Sequence, residues 1–301
     1  MKLVNEQRVV LVPPERACIL VAPVARALNV SQDGEAGPHE RLEHWGENGE
    51  NHVLHFRDDS TLAELAGLGE ADLGRPLGHA MVATDNWVRQ EYRPGFDISW
   101  PLSTSSPTPH RAAVRAVPAR LRRFFVTFRG SLYSVRAAYR MFLTRLHNPD
   151  SGVVVLGTCK FELTRKTHSE LCEEGDRRSA AGATYDELLN STFCLVPGGS
   201  HPGSIRLAEV MSVGCVPVLV GDDYVPPFPS LIDWKSIAFE FCASCHDAIL
   251  PTLRAVPDHV VERMRHGVLV AHNRYFSSEK ARWSGVLEAL TERLTFRALP
   301  F

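Results

Sequence analysis

The stretch Ser191–Asp223, "STFCLVPGGSHPGSIRLAEVMSVGCVPVLVGDD", constrains the fold more tightly than any other part of the chain. Two near-continuous apolar runs, "FCLVP" and "CVPVLVG", enclose a glycine-rich loop and a short amphipathic segment. Strands that are apolar at both odd and even positions are buried on both faces, which is the habit of parallel sheets. The segment "GSIRLAEVMSVG" suits the crossover helix that such a pair needs, with Ser204 placed to cap its start and Gly214 where a left-handed residue ends it. The unit is β–loop–α–β. Its "GGSHPG" loop falls at the carboxyl end of the first strand, where open α/β sheets bind ligands.

The rest of the chain repeats the alternation. Residues 8–12 and 17–21 read as short strands, and His52–Phe56 as another. "LAELAGL" and "GHAMVATDNWVRQ" read as short helix or strand–turn segments. A stretch rich in Pro, Ser and Thr over about residues 100–118 reads as a linker. A second α/β pattern starts at "RRFFVTFRG", followed by the amphipathic "SVRAAYRMFLTRLHN", the strand "GVVVLGTC", a charged loop over 160–182 and a brief helix at "TYDELLN". "EKARWSGVLEALTERL" has the spacing of a terminal helix. Strands alternating with helices predict parallel, doubly wound α/β sheets.

Composition excludes some functions. A formal net charge of −2 over 301 residues lacks the basic excess of a nucleic-acid binder. No apolar run approaches the roughly 20 residues needed to cross a bilayer. The start is broken by prolines and charges and has no apolar signal core. Seven cysteines leave at least one without an internal partner. Cys194 and Cys215 head neighbouring strands and could pair; Cys159 and Cys172 bracket the charged loop and could staple it; Cys242 and Cys245 are a local disulfide or two free thiols. The sequons at Asn29 and Asn190 bear only on a secreted chain. The thirteen histidines show no metal spacing, and the Asp222-Asp223 pair reads as a strand end near the ligand rather than as a metal site.

Arg206 lies in the first turn of the predicted helix, where the positive helix end disfavours a cation unless an anion faces it. An arginine fork together with free backbone N–H groups can hold phosphate oxygens. Glu209, three residues on, shares its face and could accept the hydroxyls of a ribose. The pair reads either as part of a nucleotide diphosphate site or as an ordinary surface ion pair.

Ordered segments along the chain resemble the exostosin family, glycosyltransferase family 47, and within it the heparan sulfate polymerase branch. They are "ERACILV", "ENGENHVLHF", "RPGFDISWPL", "FFVTFRG", "TCK", the Ser191–Trp234 stretch and "YFSSEK". The resemblance implies a GT-B fold, two Rossmann-like domains facing across a cleft. Residues 1–117 would form an incomplete acceptor-side domain, 118–270 the nucleotide-sugar domain, and 271–301 a terminal helix returning to the first. It implies an inverting transfer from a UDP-sugar to a glycan or polysaccharide, without metal or other cofactor.

Arg129, Arg140, Gly199, Ser204, Arg206, Glu209 and Asp223 would line the donor site. Asp97 is the candidate general base, with His55, Asp58 and Asp59 as rivals. The resemblance also implies the Golgi lumen, glycosylation at Asn190, and association with another exostosin-like subunit, identical or different. It begins only near Cys18, which points to a first strand–helix unit and an anchor lying outside this sequence. Gly198 stands where the family branch has arginine, and Ser131-Leu132 replace a Lys-Arg pair. Fewer cations at the phosphate site favour the alternative of a weak or inactive partner subunit, or a glycan-binding protein.

Overall fold

The computed structural model describes residues 16–23, 51–55, 79–102, 108–132, 138–199 and 201–297, together with residues 13, 44 and 49. The expected strand at 8–12, the sequon at Asn29, "LAELAGL", Asp58, Asp59 and the centre of the linker lie outside the described residues. The chain divides into two compact units: Met1–Pro101 with Val225–Ile232 and Lys280–Phe301, and Leu102–Tyr224 with Asp233–Glu279.

Unit 1 contains a four-stranded parallel sheet in the order β1 (Leu20–Pro23), β2 (His52–His55), β3 (Met81–Thr84), β4 (Ile98–Ser99). β2, β3 and β4 are buried at every position, so both faces of the sheet are covered. The unit also takes most of the terminal helix, α9 by chain order (Glu279–Arg297). Trp283 of that helix meets the rings of Trp100 and His55 at 4.9 and 5.2 Å.

Unit 2 carries a five-stranded, all-parallel sheet in the order β6-β5-β7-β8-β9. Its strands are β5 (Phe124–Ser131), β6 (Val153–Thr158), β7 (Ser191–Pro197), β8 (Val216–Val220) and β9 (Phe239–Phe241). Alternate residues fill opposite faces: Val126, Phe128, Phe193, Leu195, Val216 and Val218 share one core cluster. The order in which strands are added reverses between β5 and β7, with β6 on one side and β7, β8 and β9 on the other, and this is the topological switch point at which such sheets bind ligands.

The division falls at Pro101–Leu102, earlier than the expected 117/118. The reason is helix α1 (Pro109–Arg115), whose Arg111 and Arg115 bond to Glu209 and to the Ser212 carbonyl in unit 2. The expected charged loop at 160–182 is instead two helices, α3 (Glu162–Thr167) and α4 (Ser169–Ala181). The segment after β5 is helical over α2 (Tyr139–Leu143) and then tightens to a 3-10 turn at Thr144–Leu146. "TYDELLN" contributes only a 3-10 turn, Glu187–Leu189. Helix α5 (Ile205–Ser212) runs as expected between β7 and β8, and Gly214 has φ +68°.

Downstream lie α6 (Trp234–Ile237), α7 (His246–Arg254) and α8 (Asp258–Tyr275). The sequence carries the signal of α8 in Val261, Met264, Val268, Ala271 and Tyr275, all buried.

Two buried cystines pin unit 2. Cys194–Cys215 joins β7 to the entry of β8, and Cys159–Cys172 ties the end of β6 to α4. Loops of this size restrain the unfolded chain by on the order of 3 kcal/mol each. Helix α4 also needs glycine where it meets β6: a Cβ on Gly175 would lie 2.1 Å from the Gly157 carbonyl oxygen. Gly175→Ala is therefore expected to cost about 1–3 kcal/mol through forced separation of helix and strand, read by urea denaturation.

Burial and the neighbouring Arg115 charge push the His272 imidazole down to about 4. An unfolded histidine takes its proton near 6.5, so between these values the unfolded chain binds more protons and stability falls as pH falls. Denaturation at pH 7 and pH 4.5 is expected to show a loss on the order of 2 kcal/mol from this group, and His272→Gln to remove that part.

Candidate nucleotide-sugar site

The carboxyl edge of the unit 2 sheet is formed by β5 ending in Arg129-Gly130-Ser131, β7 running into Gly198, and β8 running into Gly221-Asp222-Asp223. Gly198 N donates to Val220 O (3.2 Å), and Gly199 N donates to His201 O (2.8 Å), which folds the loop over the strand ends. Ser204 is the N-cap of α5 by backbone geometry (φ −144°, ψ 127°), but its side chain makes no capping hydrogen bond. The expected position is met and the expected bond is not.

Arg206 does not project from the helix start. It is 4% exposed and turns beneath the strand ends. Its Nε donates to Leu195 O (2.8 Å) and one Nη to Thr127 O (3.4 Å). The guanidinium lies 5.5 Å from the Phe128 ring centroid and 5.2 Å from that of Tyr185. Its remaining nitrogen, Nη1, is buried without a hydrogen-bond partner among the described residues.

Glu209 is 8% exposed, so the pair is not a surface ion pair. Its carboxylate accepts from the Tyr185 hydroxyl and from Arg111 Nη2 (3.3 Å). Arg111 is shared with Asp186 at 3.1 Å. Burial, with Glu209 beside it, raises the Tyr185 phenol above its ordinary value, so it stays a donor. Neither Arg111 nor Tyr185 was expected here; Tyr185 sits in "TYDELLN", and a tyrosine close ahead of the strand was the available signal.

The other expected cations have structural partners. Arg129 donates two nitrogens, Nη1 to Ala183 O (2.6 Å) and Nη2 to Ser179 O (3.2 Å), at and just beyond the end of α4. Arg140 is 7% exposed and donates to Gly198 O (2.7 Å), Pro197 O (2.8 Å) and Ser131 O (2.9 Å). It locks the glycine loop to β5 and is a positioning residue. Leu132 is fully buried against the Cys159–Cys172 cystine. Asp222 and Asp223 are exposed; Asp222 Oδ1 accepts from Ala243 N (3.1 Å), and Asp223 holds φ +61° in the turn. Asn190 is half-buried at the entry to β7.

Asp97, in unit 1, departs from the role expected of a general base. It is fully buried, and both oxygens are taken: Oδ1 by Arg93 Nη2 (2.7 Å) and Val82 N (3.0 Å), Oδ2 by Arg93 Nε (2.9 Å) and Arg93 N (3.0 Å). A carboxylate so engaged closes the "RPGFD" loop and is not placed to accept a proton. His55, a rival for that role, is buried with its ring 4.6 Å from that of Trp100. Cys242–Cys245 is a disulfide, and Cys18 is a free, exposed thiol.

Among the described residues, no group of three or more His, Cys, Asp and Glu side chains is arranged to hold a metal ion. No described helix is long and apolar enough to cross a membrane. A cavity of about 820 Å³ opens at the opposite edge of the unit 2 sheet, against Phe125, Thr192, Phe193 and Leu253. It lies at the amino ends of β5 and β7 and is separate from the glycine loop.

The sequence profile of the exostosin GT47 domain matches residues 6–241. The chain belongs to the exostosin GT47 family. Exostosin-1 of Drosophila melanogaster is 32% identical over 264 residues, which cover 84% of this chain and 34% of that protein. Exostosin-1c of Danio rerio is 30% identical over 304 residues, covering 97% and 40%. This exostosin-family chain thus spans about a third of the length of the curated relatives it matches. Two solved structures are more distant. WaaG, a glycosyltransferase involved in lipopolysaccharide biosynthesis, has 11% identity and a TM-score of 0.44 over 77% of this chain and 73% of its own. Anabaena Alr3699/HepE, in complex with UDP and glucose, has 11% identity and a TM-score of 0.46 over 82% and 72%.

The Tyr185–Glu209 bond is expected to matter to the exostosin fold at this edge. Tyr185→Phe removes a hydrogen bond to a buried carboxylate and should cost about 1.5–3 kcal/mol in urea denaturation while the far-ultraviolet spectrum is kept.

Proposed function

We propose that unit 2 binds the diphosphate and ribose of a UDP-sugar at the carboxyl edge of β5, β7 and β8, and that the chain serves transfer of that sugar to a glycan or polysaccharide. The observation that carries the reading is Arg206 Nη1, a buried guanidinium nitrogen with no hydrogen-bond partner among the described residues, at the switch point of a parallel sheet. A buried charged donor of this kind is stabilised by an acceptor, and a diphosphate oxygen is the one the neighbourhood favours. The start of α5 adds backbone N–H groups and the positive end of the helix. Glu209, held in place by Tyr185 and Arg111, is positioned to accept ribose hydroxyls.

In the inverting reaction proposed, an acceptor hydroxyl attacks the anomeric carbon as UDP leaves. Arg206 and the α5 N-terminus stabilise the charge that builds on the diphosphate. No metal takes part in this scheme. Asp97, spent on Arg93, is not assigned as the base. Membership of the family also supports a Golgi-lumenal setting, glycosylation at Asn190 and association with a second exostosin-like subunit as parts of the proposal.

A second reading is favoured by the spent cations. With Arg140 and two nitrogens of Arg129 bonded to carbonyls and Leu132 in the core, few guanidinium nitrogens among the described residues are left for the diphosphate, as suits a weak or inactive subunit or a glycan binder. Calorimetry with UDP in EDTA tests both readings. Binding is expected, and Arg206→Ala is expected to weaken it by 2–3 kcal/mol, about 30- to 150-fold. Arg206→Lys, which keeps a charge at the strand ends, guards against a folding defect, with melting temperature as the control. Binding without transfer to any acceptor would select the second reading; no binding by folded wild type would overturn the donor site.

A further inference from the structure

The third cystine differs from the other two. Cys159, Cys172, Cys194 and Cys215 are each 1% exposed or less, and their bonds join residues 13 and 21 positions apart. Cys242 and Cys245 are half-buried, lie three positions apart, and flank the exposed Ser244 on the connection from β9 to α7. A cystine closing so short a loop restrains the unfolded chain least, because the entropy removed grows with loop length. Stapling the fold is therefore a poor account of it, and accessibility to another thiol is what sets it apart. Cys245 is the N-cap residue of the nine-residue α7, where a thiolate is stabilised and leaves readily.

The same connection is tied to the candidate donor edge. Gly221 N donates to Phe241 O (3.0 Å), and Ala243 N, inside the cystine loop, donates to Asp222 Oδ1 (3.1 Å). Val220 O, one residue earlier, accepts from Gly198 N at the start of the glycine loop (3.2 Å). Cystine, strand-end turn and glycine loop thus form one hydrogen-bonded series.

We infer that Cys242–Cys245 is a thiol–disulfide exchange site whose substrate is a dithiol, and that its reduction loosens the turn at 221–223 and, through it, the glycine loop. A thiolate of the dithiol attacks Cys242 Sγ, the protein S–S bond breaks, and Cys245 leaves as a thiolate that takes up a proton. The second thiol of the reductant then attacks the mixed disulfide and releases Cys242. Two electrons and two protons pass to the protein, and the dithiol departs as its own disulfide. The exchange and the loosening stand on the geometry alone; an effect on nucleotide affinity rests in addition on the donor site proposed above.

The test treats the full, folded chain with dithiothreitol, traps thiols with iodoacetamide and reads each cysteine by mass spectrometry. Cys242 and Cys245 are expected to react about tenfold faster than the four buried half-cystines. Equal rates, or protection of all six, would overturn the exchange site. Amide hydrogen exchange over 219–224 and 197–204 is expected to rise about threefold or more on reduction. Cys242→Ser/Cys245→Ser should show the raised exchange already and no response to dithiothreitol. Unchanged exchange rates would overturn the loosening.

Calorimetry adds a third arm, with UDP expected to bind about three- to tenfold more weakly to the reduced chain. Unchanged UDP affinity in a chain that binds UDP would overturn the link to the donor. A chain that never binds UDP, yet passes the first two arms, overturns the donor reading and leaves the exchange site standing.

Discussion

Buried guanidiniums bonded to backbone carbonyls hold unit 2 together at both edges of its sheet. At the carboxyl edge, Arg140 collects Ser131, Pro197 and Gly198, while Arg206 collects Leu195 and Thr127, each guanidinium 5.5 Å from the Phe128 ring. At the amino edge, Arg122 donates to the carbonyls of Val114, Val117, Leu189, Ser191 and Val213. Burial and the nearby Arg265 push its pKa down to about 10, which still leaves it charged at neutral pH. Burying a charge costs several kcal/mol unless its hydrogens are taken up. The planar fork of arginine, with five donors, can satisfy several carbonyls at once, which a lysine cannot.

This arrangement makes the candidate site a by-product of the scaffold. Cations satisfy carbonyls at the strand ends, and on the proposed reading the same cations would face a diphosphate. Arg140 shows one resolution, complete commitment to the backbone, with all three nitrogens on carbonyls. Arg206 shows the other: two nitrogens bind strand carbonyls and the third has no hydrogen-bond partner among the described residues. The helix start tolerates a cation because the Arg206 guanidinium is drawn down to the Leu195 and Thr127 carbonyls. Glu209 follows the same rule, fixed by Tyr185 and Arg111 before any ligand arrives.

Much of the local structure was legible because its causes are local. Apolar runs gave β5, β6, β7 and β8; spacing gave α5 and α9; cysteines at the heads of adjacent strands gave Cys194–Cys215. Illegible were partners brought from a distance, such as Arg111, 98 positions from Glu209. Local polarity also misled at 160–182, where Glu162–Lys166 and Glu174–Arg178 pairs at helical spacing mark helices rather than a loop. The Arg93–Asp97 pair was within reach, since "RPGFD" sets a cation four residues before a carboxylate, and that spacing already argued against a free base.

The departures from the family pattern are built into the packing, which bears on whether the site is merely depleted or has been reshaped. A Cβ on Gly198 would lie 2.8 Å from the Tyr139 hydroxyl, and that hydroxyl donates to the Gly198 carbonyl at 3.1 Å. The space that an arginine at this position would enter is occupied by a tyrosine that uses the bare backbone. Leu132, at the second departure, is inside the core, and a Cβ on Gly157 would lie 2.6 Å from its Cδ2. At Gly198 and at Leu132, a neighbour is packed against the residue now present. Among the described residues this carboxyl edge therefore carries fewer free cations, and on the proposed reading the weight of a diphosphate contact falls on Arg206 and the start of α5.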